Sequence, residues 1–449
     1  MRNIIEKQTP LMPLAIDHPQ AAELDRVGSI LDANPQIFEL AMEDLSQGVK
    51  NSNKGAKGMT AEQIVKAAIV KQMFGYSYKD LAFHLLDSTC LRRFLRIGFV
   101  DKGFKHSVLC KNIKSLSPET WKAINDKLMS YSRDNGIEKG REARIDCTAV
   151  ESNIHEPKDS ILLWDCVRVL THLLTTAQGL FGSVITFTDH TKRAKRRMLG
   201  IENSKNDKER YGKYLDLIRI TRKTLNYAQT GGSILKESNI PDIRALAIAI
   251  RLEEYADLTV RVINQTERRI IGGETVPAKE KIFSIFETHT DIIVKDRRDP
   301  VFGHKVCLTQ GASNLILDCM IVDGNPADST LTIDMLDRQK DLYGQYPLKV
   351  ALDGGFASKA NLEAAKSRNI KDVCFAKRRG LEVEDMCRSE FVYNRLRRFR
   401  AGIESGISWL KRCFGVARCT WKGLRSFKSY VWASIVAANL LTMARKQIA

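Results

Sequence analysis

The chain has 449 residues, 43% of them hydrophobic and 28% charged, which suits a globular protein of two or three domains with a real core. Lys and Arg total 71 against 53 Asp and Glu, giving a formal net charge of +18 and a pI near 9.4; such a balance points to a polyanionic partner, with a solvated basic surface as the alternative. Ten cysteines without a C-x-x-C spacing argue against a zinc ribbon, and no apolar run reaches membrane-spanning length.

The opening MRNIIEKQTPLMPL lacks a signal-peptide pattern, so a soluble, cytoplasmic protein with no membrane partner is expected. A helical stretch is expected near Ile30 to Leu45, followed by the polar link KNSNKGAKG, which reads as a hinge. From Thr60, which forms a capping-box pattern with Gln63, the positions of Ile64, Ala67, Ala68, Lys71 and Phe74 predict a helix closed by Gly75. A second helix is expected from Ser77 and a third from about Ser88 to Gly98. Three short helices with Arg92, Arg93 and Arg96 on the last suggest a helix-turn-helix DNA reader over residues 60–98, against an ordinary helical bundle. Ser117-Pro118 opens a further helix to about Arg133, and a helical N-terminal domain is expected over 1–135.

After Gly136 and Gly140 comes ARIDCTAV, a β-prone run that contains Asp146, a residue disfavoured inside strands. From about Ser160 to Leu258 the pattern is helical and highly charged, with Lys192, Arg193, Lys195, Arg196 and Arg197 in TKRAKRR. Five cations in six residues repel one another unless phosphates relieve them, so contact with DNA is expected there, with an exposed solvated helix as the alternative. Strand character returns in FSIFE, HKVCL, LILDCMIVD and PLKVALD. A helix near Lys359 to Ser367, the strand DVCFA and two final helices, about Glu390 to Phe414 and Phe427 to Lys446, complete the chain. The order predicts an α/β core interrupted by a helical insertion at about 160–285.

Two-metal phosphoryl transfer needs about three carboxylates on rigid elements, able to hold hard cations roughly 3.5–4 Å apart. Asp146 in an apolar strand, Asp353 at the end of another and Glu404 on a helix meet that demand. At about 100° per residue, Arg397, Arg400 and Lys411 fall within about 40° of Glu404, beside an apolar stripe of Ile403, Ile407, Leu410 and Phe414. A solvated helix face would also collect such charges, and Gly402 and Gly406 weaken the helix. Asp323 and Asp328 compete for the metal role, but their Gly-Asn-Pro context reads as a turn.

At these residues the chain resembles the DDE transposases of bacterial insertion sequences. The run R-x-x-R-x-x-x-E-x-x-x-x-x-x-K from Arg397 to Lys411 is similar to the family's Y-R-E-K signature, with Arg397 in place of the tyrosine and Arg400, Glu404 and Lys411 at the matching spacing. RIDCTAVESNIHEPKDSILLWDCVRVL and ALDGGFAS resemble the first- and second-aspartate motifs, nearest the ISNCY-type elements; FGHKVCL, DGNPADSTL and SYKDLAFHLLDSTCLRRFLRIG are also similar to stretches of these families. The resemblance implies a ribonuclease-H-like catalytic domain over 140–420 and a helical insertion within it, with a C-terminal helix over 421–449 packing on the core. It implies Asp146, Asp353 and Glu404 as ligands of two Mg²⁺ ions, with Mn²⁺ as a substitute, and Arg400 and Lys411 as phosphate-holding catalytic partners. Implied partners are terminal inverted repeats and target DNA, bound by a homodimer, and the implied activity is end cleavage followed by joining of the 3′-hydroxyl. A non-catalytic DNA-binding descendant and a plain nuclease on the same fold are the competing readings.

Overall fold

The computed structural model describes residues 3–4, 16–47, 58–98, 100–182, 185–237, 242–294 and 299–448. Most of the expected hinge KNSNKGAKG lies outside them. Local signals set many helix ends. The expected single helix near Ile30 to Leu45 is two, α1 (Pro19–Asp32) and α2 (Gln36–Ser46), divided at Asn34-Pro35, where proline disfavours continuation. Thr60 and Gln63 close a reciprocal capping box on α3 (Ala61–Phe74), and Gly75 ends it at φ 66°, a left-handed conformation suited to glycine. Ser77 and Asp80 form a second box on α4 (Tyr78–Asp87). The third helix, α5 (Thr89–Phe94), stops four residues short of the expected Gly98, because Arg96 takes a left-handed φ of 52°. Then follow α6 (His106–Ser115), which sequence patterning did not reveal, and α7 (Pro118–Asp134), started by Ser117 and Pro118.

Strand β1 (Glu142–Glu151) enters the sheet. Four helices follow: α8 (Asp159–Phe181), α9 (Thr191–Glu202), α10 (Asp207–Glu237) and α11 (Ile243–Thr266). The chain continues through β2 (Asp291–Ile293), β3 (Val301–Gly311), β4 (Ile316–Val322), α12 (Thr332–Tyr343), β5 (Lys349–Leu352), α13 (Lys359–Ser367) and β6 (Asp372–Phe375). It closes with α14 (Val383–Met386), α15 (Glu390–Cys413) and α16 (Leu424–Ile448). The expected strand FSIFE is not one: the Ser284 hydroxyl accepts from the amides of Phe286 and Glu287, a local turn that competes with strand pairing.

The fold is mixed α/β. β3 runs antiparallel to β1, with Asp146 opposite Leu308, and β4 runs antiparallel to β3. β5 is parallel to β1, with Ile145 opposite Leu352, and β6 is parallel to β5. The path is β2-β3-β1-β5-β6, with β4 also paired to β3. Alternation puts Ile145, Cys147, Cys307, Leu352 and Phe375 on one face, packed with Met335, Leu336 and Leu362 of α12 and α13. On the other face Val150, Val306 and Leu308 join a core built from the N-terminal helices and α16.

The chain divides into two compact units, one of residues 1–153 with 293–449 and one of residues 154–292. The N-terminal helices therefore share a unit with the sheet. Within that unit α16 is buried on nearly every side and packs against α1, α3 and α7. Asn439 of α16 accepts from the amide of Ile316 and donates to its carbonyl and to Oδ1 of Asn125, each at 2.8 Å, and Asn125 of α7 donates to the Leu317 carbonyl at 3.0 Å. These satisfied amides fix the start of β4 to the helices. The second unit holds α8 to α11 around two apolar clusters.

Candidate active site

Three carboxylates from distant segments meet on one guanidinium. Asp146 lies on the face of β1 turned to α15, and its neighbour Ile145 is paired with Leu352, so the parallel register brings Asp353 beside it at the end of β5. Asp353 opens the Gly354-Gly355 turn. Neither glycine has a positive φ; they serve close approach, since a Cβ on Gly354 would lie 2.6 Å from the Lys377 side chain and one on Gly355 would lie 3.0 Å from Asp328. Ser389 caps α15 by accepting from the Val392 amide, and the helix then carries Arg400 and Glu404 over β1. Its apolar residues dock at both ends, Tyr393 and Leu396 in one core and Ile407, Leu410 and Phe414 in the other.

Arg400 reaches Asp146 Oδ2 at 3.0 Å and Asp353 Oδ1 at 3.3 Å through Nη2, and Glu404 Oε1 at 2.6 Å through Nη1. Its side chain is 13% exposed, against 63% for Glu404. The Arg400 Nε is buried without a hydrogen-bond partner among the described residues. Asp146 Oδ1 also accepts from the Cys147 amide at 2.8 Å, which fixes the carboxylate's rotation. A guanidinium fork with three carboxylates around it is a set of hard oxygen donors already gathered about positive charge. Among the described residues no three His, Cys, Asp or Glu side chains are spaced to hold a metal ion, the Arg400 fork being interposed.

Lys411 lies on the last turn of α15, about 10 Å along the axis from Glu404. Arg397 is exposed one turn before Arg400, and both act on the buried Cys374 thiol, which burial pushes up to about 12 while their charge opposes the rise. Asp323 is exposed after β4. Asp328 stands against the Asp353 turn, held at 2.8 Å by the buried ammonium of Lys305, whose side chain leaves the sheet face opposite to that of Asp146.

Of the N-terminal arginines expected to face DNA, Arg92 is engaged inside the fold, while Arg93 and Arg96 are half-buried and ion-paired. Arg92 is buried, and its guanidinium donates to the carbonyls of Leu85 (3.3 Å), Gly98 and Asp101 (3.0 Å). Arg93 holds Asp25 at 2.6 Å, and Arg96 holds Asp32 at 2.9 Å and the buried Glu62 at 3.3 Å. On α9, Arg193 and Arg197 pinch Asp216 at 2.6 Å each. Lys192, Lys195 and Arg196 are exposed; Lys195 lies 6.0 Å from the Trp164 ring centre. Sequence patterning did not single out Lys377, Arg378 and Arg379 after β6, although AKRRG was a signal: all three are exposed, and Lys377 stands against the Gly354 turn.

Residues 295–440 match the family described as the transposase DDE domain, and residues 14–115 match the one described as a transposase domain, DUF772. The chain thus carries a transposase DDE domain behind an N-terminal transposase domain. The first match contains Asp353, Arg400, Glu404 and Lys411 and begins after Asp146. No curated protein and no solved structure matches the chain. The DDE domain implies divalent-metal use and DNA binding. Among the described residues no helix is long and apolar enough to cross a membrane.

Proposed function

We propose that this chain is a DNA transposase that cuts a phosphodiester at each end of its element and joins the freed 3′-hydroxyl to target DNA. The observation that carries the reading is the convergence of Asp146, Asp353 and Glu404 on Arg400. The strand path with β4, β3, β1, β5 and β6 side by side, β1, β3 and β4 antiparallel and β5 and β6 parallel to β1, supports a ribonuclease-H-like core.

Asp146, Asp353 and Glu404 would hold Mg²⁺: donor type and charge fit a hard divalent cation. When bound, a pair of such ions supplies an activated water or hydroxyl nucleophile and stabilises the leaving oxygen. Arg400, with its fork beside the carboxylates, orients a non-bridging phosphate oxygen, and Lys411 adds a point charge further along the same helix. Arg397 and the Lys377–Arg379 turn hold the flanking backbone, and Lys192, Lys195 and Arg196 of α9 give a second phosphate-binding stripe.

The test uses DNA carrying the inverted repeats that flank the gene. Glu404→Gln keeps the shape of the side chain and removes its charge, so cleavage and joining should both collapse while end-binding stays within about threefold. Strong Mg²⁺-dependent cleavage by this variant would remove Glu404 from the metal site. Wild-type protein that cuts the ends without joining them would be a nuclease, and one that binds them without cutting would be a DNA-binding descendant.

A further inference from the structure

The face of β1 that carries Asp146 also carries Arg144, two residues earlier. Arg144 is 4% exposed. Its Nε donates to Gln310 Oε1 at 2.9 Å, its Nη1 to the Phe399 carbonyl at 2.7 Å and its Nη2 to Asn314 Oδ1 at 2.5 Å, with the Phe399 ring centre 4.7 Å from the guanidinium carbon. All three acceptors are neutral. A guanidinium stays a cation at neutral pH. A buried cation held only by neutral acceptors is a poor stabilising device, because desolvation opposes it and well-packed apolar residues often do better. Its presence beside the carboxylates therefore asks for another task.

Two glycines of α15 complete the contact. A Cβ on Gly402 would lie 2.0 Å from Arg144 Nη1, and one on Gly406 would lie 2.6 Å from Gln310 Nε2. Neither glycine has a positive φ, so each is present for space rather than for backbone freedom. The Arg144 fork cannot simply swing aside, because three hydrogen bonds hold it. Gly402 sits between Arg400 and Glu404, and the Phe399 carbonyl that Arg144 holds immediately precedes Arg400. Sliding or rotating α15 would break that bond, and any side chain at 402 would force such a movement.

We propose that Arg144 is a positioning residue: together with Gln310 it seats the Phe399–Gly406 stretch of α15 at the height and rotation that turn Arg400 and Glu404 toward Asp146 and Asp353. This rests on the reading of those carboxylates as the catalytic site.

The experiment compares full-length wild type with Arg144→Met, Arg144→Lys and Gly402→Ala. It measures amide hydrogen exchange along the chain, single-turnover cleavage in Mg²⁺ and affinity for the same end DNA. Arg144→Met should speed exchange within 399–406 while leaving α16 and β3 protected. Its cleavage rate should fall about 100-fold with end affinity unchanged, the scale expected of a displacement near 1 Å. Arg144→Lys should recover part of the rate. Gly402→Ala should lose rate although Ala is the better helix former. Rates near wild type in both Arg144→Met and Gly402→Ala overturn the proposal, as does exchange that rises throughout the unit rather than in α15. Should Arg144→Met fail to fold, Gly402→Ala decides alone: a lost rate with intact folding supports the seating and an unchanged rate refutes it. Wild type that cuts no DNA defeats the catalytic reading, and local loosening of α15 in Arg144→Met still establishes the seating.

Discussion

Arginines on α5 and α15 begin from similar sequence surroundings and end in different work. Arg92 of α5 turns inward to three backbone carbonyls that close the Leu85–Asp101 segment. Arg400 of α15 faces carboxylates from β1, the end of β5 and its own helix. The first residue completes a local fold, and the second marks where distant segments must meet. Charge density on a helix does not separate these cases; the groups opposite it do.

The largest expected effect tests the second half of that contrast. Asp353→Asn should lower cleavage by at least about 10³-fold, the scale of losing one group that stabilises charge in the transition state, with folding and end-binding retained. Single-turnover kinetics beside a binding titration would check it, and an active Asp353→Asn would make the carboxylate cluster a structural ion network.

Next in size, Arg92→Ala should destabilise its unit by about 2–3 kcal/mol, because buried carbonyls lose a charged donor. Arg93→Ala should change stability by about 0.5 kcal/mol, since its pair with Asp25 is solvent-screened. Chemical denaturation would rank the two. If Arg92→Ala instead lowered only DNA affinity, the inward reading of α5 would break.

Lys71 of α3 extends the comparison to an inward cation whose ammonium lies over an aromatic ring, 5.1 Å from the centre of Tyr78. Burial pushes that ammonium down to about 8. An unfolded lysine titrates near about 10.4, so between these values the unfolded chain binds more protons and stability should rise with pH. Lys71→Met should flatten that rise and lift the unit's melting temperature at pH 7 by on the order of 5 °C. A pH series of thermal melts showing no difference between the two proteins would contradict the burial penalty.

The smallest effect sharpens the contrast within one helix. On α9, neutralising Lys192, Lys195 and Arg196 should reduce the slope of log affinity against log salt by about 2–3, at about 0.9 for each phosphate that the variant leaves unneutralised. Replacing Arg193 and Arg197, which already hold Asp216, should change it little. Equal slopes in wild type and the triple variant would leave α9 a solvated helix.

Much was legible because its causes are local. The capping box at Thr60, the stop at Gly75 and the Ser117-Pro118 start follow from side chains within one helical turn. Asp146 stood out inside an apolar strand because a charge in such a setting costs free energy unless it has a task, and Glu404 stood out by its place in an Arg-Arg-Glu-Lys stripe. Other features depend on partners outside the helix that carries them. The inward turn of Arg92, the pairing of Arg93 with Asp25 and of Arg96 with Asp32, and the burial of α16 among the N-terminal helices leave no mark at short range. Gly402 and Gly406 show the limit most clearly. In sequence they read as weak points of a helix, because helix propensity is an intrinsic property of each residue. Only the packed structure reverses that reading, since it alone sets Arg144 and Gln310 where any Cβ would have to lie.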